Sequence, residues 1–187
     1  MEEDIKTALT VLEAGGTILY PTDTIWGIGC DATNPEAVKK VYEIKKRKDT
    51  KNMLVLIDIT GRIIQYVKEV PETARDMIEV SENPITIIYP NAINLAPNLL
   101  NLDGSIGIRV TRDEFCKSLI SRFKKPIVST SANLSSEEYP NNFKEINEKI
   151  LKGVDYVVKW RQKELTCFSV SSIVKLELNG EIKIIRK

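Results

Sequence analysis

The stretch YPTDTIWGIGC, residues 20–30, decides how the rest of the sequence is interpreted. It follows TILY (17–20), an apolar run that predicts a buried strand. Threonine and aspartate after a strand often form turns that hydrogen-bond their own backbone. The concentration of Thr22, Asp23 and Thr24 at one strand end also suits a ligand pocket, because open α/β sheets bind ligands at strand ends. Both explanations stay open at this point.

Helical and extended patterns alternate on either side of this stretch. Apolar periodicity and capping residues predict helices over 3–14, 34–47, 60–67, 72–81, 113–123 and 143–151. Apolar or β-branched runs predict strands over 17–20, 53–57, 84–89, 105–110, 126–130 and 154–158. Asn179-Gly180 between two alternating runs predicts a closing antiparallel hairpin. We therefore expect one α/β domain, residues 1–187, with a large mixed sheet.

Composition narrows the classes of partner and the compartment. Lys and Arg number 27 and Asp and Glu 26, a net charge of +1, so the chain is not a globally basic nucleic-acid coat. The apolar runs are too short for a membrane span, and the acidic N-terminus does not resemble a signal peptide. Three widely spaced cysteines favour neither a disulfide framework nor a zinc site. We expect a cytoplasmic protein without a membrane partner or metal-binding residues.

Histidine is missing from the sequence altogether. This excludes Ser-His-Asp and Cys-His nucleophilic machinery, histidine general bases and histidine metal ligands. Any chemistry must therefore rely on lysine, arginine, carboxylates, hydroxyls, backbone amides or the reactivity of the substrate itself.

Three further features accompany the Thr22 loop. A cationic cluster lies at and just past a predicted helix end, Arg109 lies inside the apolar strand IGIRV, and STSAN (129–133) follows a strand. The cluster consists of Lys45, Lys46, Arg47, Lys48 and Lys51. Lysines at a helix C-terminus are ordinary dipole complements, and Ser-Ala-Asn is an ordinary turn. Taken together, these features suit a site for a polyanion and a small polar molecule.

Arg109 is the least easily explained of these features. It either faces solvent on an alternating strand or is buried and paired. Its neighbours on the same strand face, Gly107 and Thr111, are small and polar, which leaves room for a ligand carboxylate. The sequence has neither a Walker A loop nor a Rossmann glycine fingerprint, so the phosphate site must be built in another way.

These residues resemble one known family, the YrdC-like proteins, which are threonylcarbamoyl-AMP synthases. The resemblance runs from GGTILYPTDTIWGIGCDA to IKIIRK, through P-T-D-T-I-W-G-I-G, K-x-R, G-x-R-V, S-A-N and a late S-S-I strand. It implies a twisted mixed sheet flanked by helices, with a concave, positively charged cleft. It also implies an enzyme that joins L-threonine, bicarbonate and ATP, with Mg²⁺, into threonylcarbamoyl-AMP and pyrophosphate. A partner transferase then moves the threonylcarbamoyl group to adenosine 37 of tRNA.

The resemblance also implies roles for individual residues. The catalytic set is Lys45, Arg47, Ser131 and Asn133. The ATP-binding positions are these four with Ser105, Tyr139 and Arg186. The threonine-binding positions are Thr22, Arg109, Ser129 and Ser171. The sequence departs from the family pattern where S-A-N-x-S-G has become SANLSS, which removes a glycine after Asn133.

Two other classes of function stay open. The first is a catalytically inactive YrdC-like module that uses the same basic cleft to bind double-stranded or transfer RNA. The second is a purely structural protein. An intact set of Lys45, Arg47, Ser131 and Asn133 favours the enzyme.

Overall fold

The computed structural model describes residues 1–46, 53–135, 137–165 and 169–187. The helices in these ranges are α1 (Glu2–Glu13), α2 (Pro35–Ile44), α3 (Glu72–Val80), α4 (Glu114–Phe123) and α5 (Glu148–Gly153). The strands are β1 (Ile18–Tyr20), β2 (Gly27–Gly29), β3 (Leu54–Ile57), β4 (Ile85–Tyr89), β5 (Ile106–Val110), β6 (Ile127–Ser131), β7 (Tyr156–Val157), β8 (Ser172–Leu176) and β9 (Ile182–Arg186). Short 3₁₀ turns cover Thr60–Gln65, Pro97–Leu99 and Phe143–Glu145.

The described strands form one mixed sheet in the order β7-β1-β2-β6-β3-β5-β4-β8-β9. The pairs β1/β7, β3/β5 and β4/β8 are parallel, and the other neighbours are antiparallel. The predicted α/β fold with a large mixed sheet is confirmed. The closing hairpin is also confirmed, since β8 and β9 pair across a turn in which Gly180 has a φ of +84°.

Four local predictions are wrong in type or in length. Residues 27–29 form a strand antiparallel to β1, so TILY and these residues form a hairpin, and this strand is missing from the predicted set. The segment predicted as a helix over 60–67 is a 3₁₀ turn. The helix predicted over 143–151 is a 3₁₀ turn followed by α5. The helix predicted over 34–47 ends at Ile44.

The helix starts follow their capping residues. The Asn34 side chain accepts hydrogen bonds from the backbone N–H groups of Glu36 and Ala37, and Pro35 occupies the first turn of α2. The Asp113 side chain accepts from the backbone N–H of Cys116 at the start of α4. These side chains satisfy N–H groups that have no partner within the helix.

Hydrophobic clusters cover both faces of the sheet. On one face, α1 and α4 bury apolar side chains against β1, β3, β6 and β7; the described strand residues are Ile18, Tyr20, Leu54, Leu56, Ile127 and Tyr156. The chain neighbours Leu19, Val55 and Val128 point to the opposite face, where they join the larger cluster with α2 and α5. No described residue of β5, β4 or β8 belongs to the cluster under α1 and α4, so these two helices leave the same face of those strands uncovered.

Gly29 is required by the close packing of β2. A Cβ built at Gly29 would lie 2.6 Å from the Val128 carbonyl oxygen and 2.7 Å from Cε1 of Tyr20. Gly29→Ala should therefore destabilise the fold by about 1–3 kcal/mol, because a rigid neighbour must move. Each kcal/mol lowers the melting temperature of a domain of this size by about 2–4 °C.

Gly61→Ala is the matched control for this prediction, because no heavy atom lies within 4 Å of a Cβ built there. Its melting temperature in a thermal scan should stay close to that of the wild type. Equal melting temperatures for the two variants would show that β2 does not pack as described.

Candidate functional site

A cavity of about 470 Å³ opens on the uncovered part of the sheet. Its position follows from the alternation of side chains on β6: Ile127 packs under α4, and Ser129 and Ser131, two and four residues later on the same face, line the cavity. A volume of this size is typical of sites for small molecules and cofactors.

The floor of the cavity is formed by small or apolar residues on adjacent strands. Gly107 on β5 pairs with Leu54 on β3 and with Ile88 on β4, and all three line the cavity. A Cβ at Gly107 would already lie 3.3 Å from Cγ2 of Thr86. Because Gly107 has no side chain, the cavity is deeper at this point of its floor.

Arg109 lies at the carboxyl end of β5 and lines the cavity, although only 3% of the residue is exposed. Its Nη2 lies 3.2 Å from Oδ1 of Asp23. Of the two predicted possibilities, exposed to solvent or buried and paired, Arg109 therefore follows the second. Its Nε has no hydrogen-bond partner within the described part of the chain. A buried, unpaired N–H on a guanidinium is a strong donor for an anionic ligand.

The Asp23 carboxylate ties the hairpin turn of residues 21–26 to the end of β5. Its Oδ2 accepts hydrogen bonds from Oγ1 of Thr111 at 3.2 Å and from the backbone N–H of Arg112 at 3.1 Å. Asp23 thus neutralises part of the charge of Arg109.

Thr22 does not line the cavity. Its Oγ1 donates to the Ile25 carbonyl oxygen at 2.9 Å, accepts from the backbone N–H of Thr24, and lies 3.0 Å from Oγ1 of Thr24. Thr24 and Ile25 do line the cavity. Thr22 therefore shapes the turn that presents its two neighbours.

Lys45 is buried and lies behind the cavity wall rather than in it. Its Nζ donates to the carbonyl oxygens of Ser131 and Asn133 and, at 3.1 Å, to Oδ1 of Asn133. The Ser131 hydroxyl donates to the same Oδ1. The ammonium group therefore holds the Ser131–Asn133 turn in place, and Ser131 faces the cavity.

A second polar group lies at the opposite wall, on β4, β8 and β9. The hydroxyls of Thr86 and Ser171 share a hydrogen bond at 2.9 Å, and Arg186 donates to the Ser171 carbonyl oxygen through Nε and Nη2. Tyr139 lines the cavity and is half exposed. Partial burial lowers the pKa of Arg186, and the charge of Arg109 acts in the same direction.

Six of the predicted site residues thus line one cavity: Arg109, Ser129, Ser131, Tyr139, Ser171 and Arg186. Four others lie directly behind its lining: Thr22, Lys45, Ser105 and Asn133. Arg47 lies outside the described residues. Among the described lining residues, the charged side chains are two arginines, and neither Asp nor Glu is present.

Sequence reasoning missed three residues that belong to the site. Asp23 was noted only as part of a polar loop, and its pairing with Arg109 depends on a contact between distant segments. Thr86 and Asn101 line the cavity. Thr86 is a polar residue within the apolar strand β4, and this pattern could have indicated a site residue. Asn101 lies in an irregular segment, where no sequence pattern indicates a site residue.

Two kinds of feature are absent from the described ranges. No group of three or more His, Cys, Asp or Glu side chains is placed to hold a metal ion. No described helix is both long and apolar enough to cross a membrane.

The fold and the cavity define an α/β protein with a cavity lined by arginine side chains and hydroxyl groups. The family model Sua5/YciO/YrdC, described as "Telomere recombination", matches residues 10–187. The chain therefore belongs to the Sua5/YciO/YrdC family.

Curated relatives share one name. The threonylcarbamoyl-AMP synthase of Pseudoalteromonas translucida (strain TAC 125) is 33% identical over 184 residues, which cover 97% of this chain and 97% of that protein. The threonylcarbamoyl-AMP synthase of Homo sapiens is 28% identical over 190 residues, which cover 98% of this chain and 67% of the human protein.

Solved structures share the fold. P. abyssi Sua5 complexed with L-threonine has a TM-score of 0.84 and 22% identity, over 94% of this chain and 52% of that one. E. coli YciO has a TM-score of 0.84 and 21% identity, over 100% of this chain and 90% of that one. The chain thus spans about half the length of P. abyssi Sua5. These similarities establish the large twisted sheet flanked by helices.

Removal of the Lys45 ammonium group should destabilise the protein. Lys45→Met keeps most of the aliphatic stem but leaves the buried oxygens of Ser131 and Asn133 without this donor, which costs about 1–3 kcal/mol or more. Thermal or denaturant unfolding measures the effect. The control is Lys46→Met, because Lys46 is exposed and adjacent, and we expect a change within about 0.5 kcal/mol. Equal stability of the two variants would contradict the structural role of Lys45.

Proposed function

We propose that this chain catalyses the ATP-dependent synthesis of threonylcarbamoyl-AMP from L-threonine and bicarbonate. The observation that carries the proposal is Arg109, a buried guanidinium that lines the cavity and whose Nε has no hydrogen-bond partner among the described residues. Such a group suits the carboxylate of an amino acid, and the curated relatives are named as synthases of this product. The RNA-binding alternative is not favoured.

The reaction balances without an enzyme nucleophile. The threonine amine attacks the carbon of bicarbonate-derived carbon dioxide, and bicarbonate loses water in giving the carbamate. A carbamate oxygen then forms a bond to the α-phosphorus of ATP, while the bond from that phosphorus to the bridging oxygen of pyrophosphate breaks. Such displacements need alignment and neutralisation of charge more than covalent help, so a site without histidine suffices.

The Arg109 end of the cavity is proposed to hold threonine. Arg109 would bind the carboxylate, with Asp23 keeping the guanidinium in place. The hydroxyls of Ser129 and Ser171 face the same cavity and can meet the polar groups of the amino acid. Thr22 would act through Thr24, whose position it fixes.

The nucleotide is proposed to lie against the remaining polar groups. Ser131 faces the cavity from the turn that Lys45 and Asn133 hold, so a fixed positive charge lies directly behind the phosphate position. Arg47 would add a second cation there, and Mg²⁺ would arrive with ATP. Tyr139 and Arg186 would contact the nucleotide at the opposite wall, and Ser105 would contribute near the start of β5.

The product is proposed to serve tRNA modification in the cytoplasm. Threonylcarbamoyl-AMP is a mixed anhydride, so a partner transferase must take the threonylcarbamoyl group from AMP and attach it to tRNA at adenosine 37.

Pyrophosphate release by the purified protein should require L-threonine and bicarbonate together with Mg²⁺-ATP. The reason is that the carbamate, and not water, is the proposed nucleophile. A coupled pyrophosphate assay with each component omitted in turn measures the requirement. Absence of turnover with all components present, combined with tight RNA binding, would favour the binding module instead.

Arg109→Lys should raise the threonine concentration needed for half-maximal rate by about tenfold or more. Lysine keeps the charge but loses the planar pair of donors that grips a carboxylate, and charged hydrogen bonds contribute about 1.5–3 kcal/mol. The affinity for ATP should change little. Steady-state kinetics with threonine and ATP varied separately distinguishes the two effects.

Arg112→Lys is the matched control for this variant. Arg112 is three residues away and donates to the carbonyl oxygens of Ile78 and Ser81, outside the cavity. Its substitution should leave both substrate dependences unchanged. Thermal unfolding must show that each variant folds, because Arg109 is buried. A folded Arg109→Lys that lost ATP affinity and kept its threonine response would show that the two substrates are assigned to the wrong ends.

A further inference from the structure

The turn of residues 21–26 lies between two cavities. Thr24, Ile25 and Trp26 line the large cavity and also a small one of about 10 Å³. Arg161 lines the small cavity and not the large one. The turn is therefore a thin wall of the candidate site, and Arg161 contacts it from the side that a ligand in the large cavity does not reach.

Arg161 holds this turn through a short network of hydrogen bonds. Its Nη1 donates to the Thr22 carbonyl oxygen at 3.2 Å and to Oδ2 of Asp113 at 2.8 Å, and its Nε donates to Oε2 of Glu164 at 2.6 Å. Only 14% of the Arg161 side chain is exposed. The guanidinium thus joins three segments of the chain, namely the turn, the start of α4 and residues 161–164.

The backbone at Arg161 adopts a conformation that is uncommon for a residue with a side chain. Its φ is +66°, in the left-handed region that favours glycine. Such a conformation persists where the surrounding structure over-determines it. We attribute it here to the contacts of the guanidinium, because a glycine would fit the backbone but would make none of them.

A second route leads from Arg161 to Arg109. The backbone N–H of Asp113 donates to Oγ1 of Thr111 at 3.2 Å, and this hydroxyl donates to Oδ2 of Asp23 at 3.2 Å. Asp23 in turn pairs with Arg109. Arg161 therefore acts on the Arg109 end of the large cavity both through its contact with the turn and through Asp113.

Charge balance gives Arg161 a further task at this end of the cavity. Burial raises the pKa of the Cys116 thiol, the nearby Asp113 and Asp23 carboxylates raise it further, and Arg109 acts in the opposite direction. The charges of Asp113 and Arg109 therefore act on the same small region. An unpaired Asp113 carboxylate would repel a ligand carboxylate at Arg109, and the Arg161 cation removes this repulsion.

We propose that Arg161 is a positioning residue for the amino-acid substrate, which holds the 21–26 turn against the end of β5 and neutralises Asp113. This inference rests on the proposed function and deepens it, because the proposed function assigns the amino acid to Arg109. Arg161 does not touch the substrate and acts through other residues. Its loss should therefore weaken the binding of L-threonine and leave the binding of ATP unchanged.

Arg161→Gly tests the inference without straining the backbone, because glycine adopts a φ of +66° readily. Calorimetric titrations with L-threonine and, separately, with Mg²⁺-ATP measure the affinities of the wild type and the variant. The dissociation constant for L-threonine should rise by about threefold to tenfold, which corresponds to the loss of about one hydrogen bond. The dissociation constant for ATP should stay within about twofold of the wild-type value.

Arg161→Lys and Lys163→Gly are the matched comparisons. Lysine keeps the charge that neutralises Asp113 but loses the planar set of donors, so its L-threonine affinity should lie between those of the wild type and Arg161→Gly. Lys163 is exposed in the same segment, and Lys163→Gly removes an equal charge, so both affinities should stay at the wild-type values. Thermal unfolding shows which variants fold, and Arg161→Lys carries the test if Arg161→Gly does not fold.

An unchanged L-threonine affinity in a folded Arg161 variant would overturn the role of Arg161 and leave the synthase proposal standing. Equal losses for L-threonine and ATP, or an equal loss in Lys163→Gly, would overturn the role too, because the effect would trace to general stability. A wild-type protein that neither binds L-threonine nor releases pyrophosphate would overturn both proposals.

Discussion

The ion pair between Arg109 and Asp23 is the contact on which the arrangement of the site depends. A guanidinium that is 3% exposed needs a partner, because an unpaired buried charge is strongly destabilising. The partner comes from a hairpin turn more than eighty residues earlier in the chain, so the turn must lie against the end of β5. This requirement explains the composition of residues 20–30: the two threonines fold the turn, the aspartate pairs with Arg109, and Gly29 allows the return strand to pack closely.

The sequence was sufficient to predict elements whose residues carry their own signal. Strands rich in β-branched residues, such as β4 and β5, and the hairpin around Asn179-Gly180 follow from local preferences. The strand β2 was missed because Gly-Ile-Gly has low strand propensity and exists as a strand through its pairing with β1 and β6. The apolar spacing of residues 60–67 predicts a helix, and the 3₁₀ turn at Thr60–Gln65 has a similar spacing over two turns.

The site was predictable in its residues but not in their arrangement. The strand pattern pointed to Arg109 and to residues 129–133, since these belong to or adjoin a recognisable strand, whereas Ser171 was implied by the family resemblance. The sequence could not show that the Lys45 ammonium group donates its hydrogen bonds to the Ser131–Asn133 turn. This contact joins two segments that are far apart in the sequence, and it exists only in the folded chain.

On the proposed function, Arg109 and the polar groups at the opposite wall divide the work of the site. Arg109 would hold threonine at the carboxyl end of β5, and Tyr139 and Arg186 would contact the nucleotide. Gly107 on the cavity floor has no side chain, which leaves room there for the reacting groups to meet. Holding the carbamate oxygen and the α-phosphorus at a distance of about 3–3.5 Å converts their encounter into an effectively unimolecular step, which can supply about 7–11 kcal/mol of the barrier reduction. A protein without histidine can therefore promote this reaction chiefly by fixing both substrates by their outer ends.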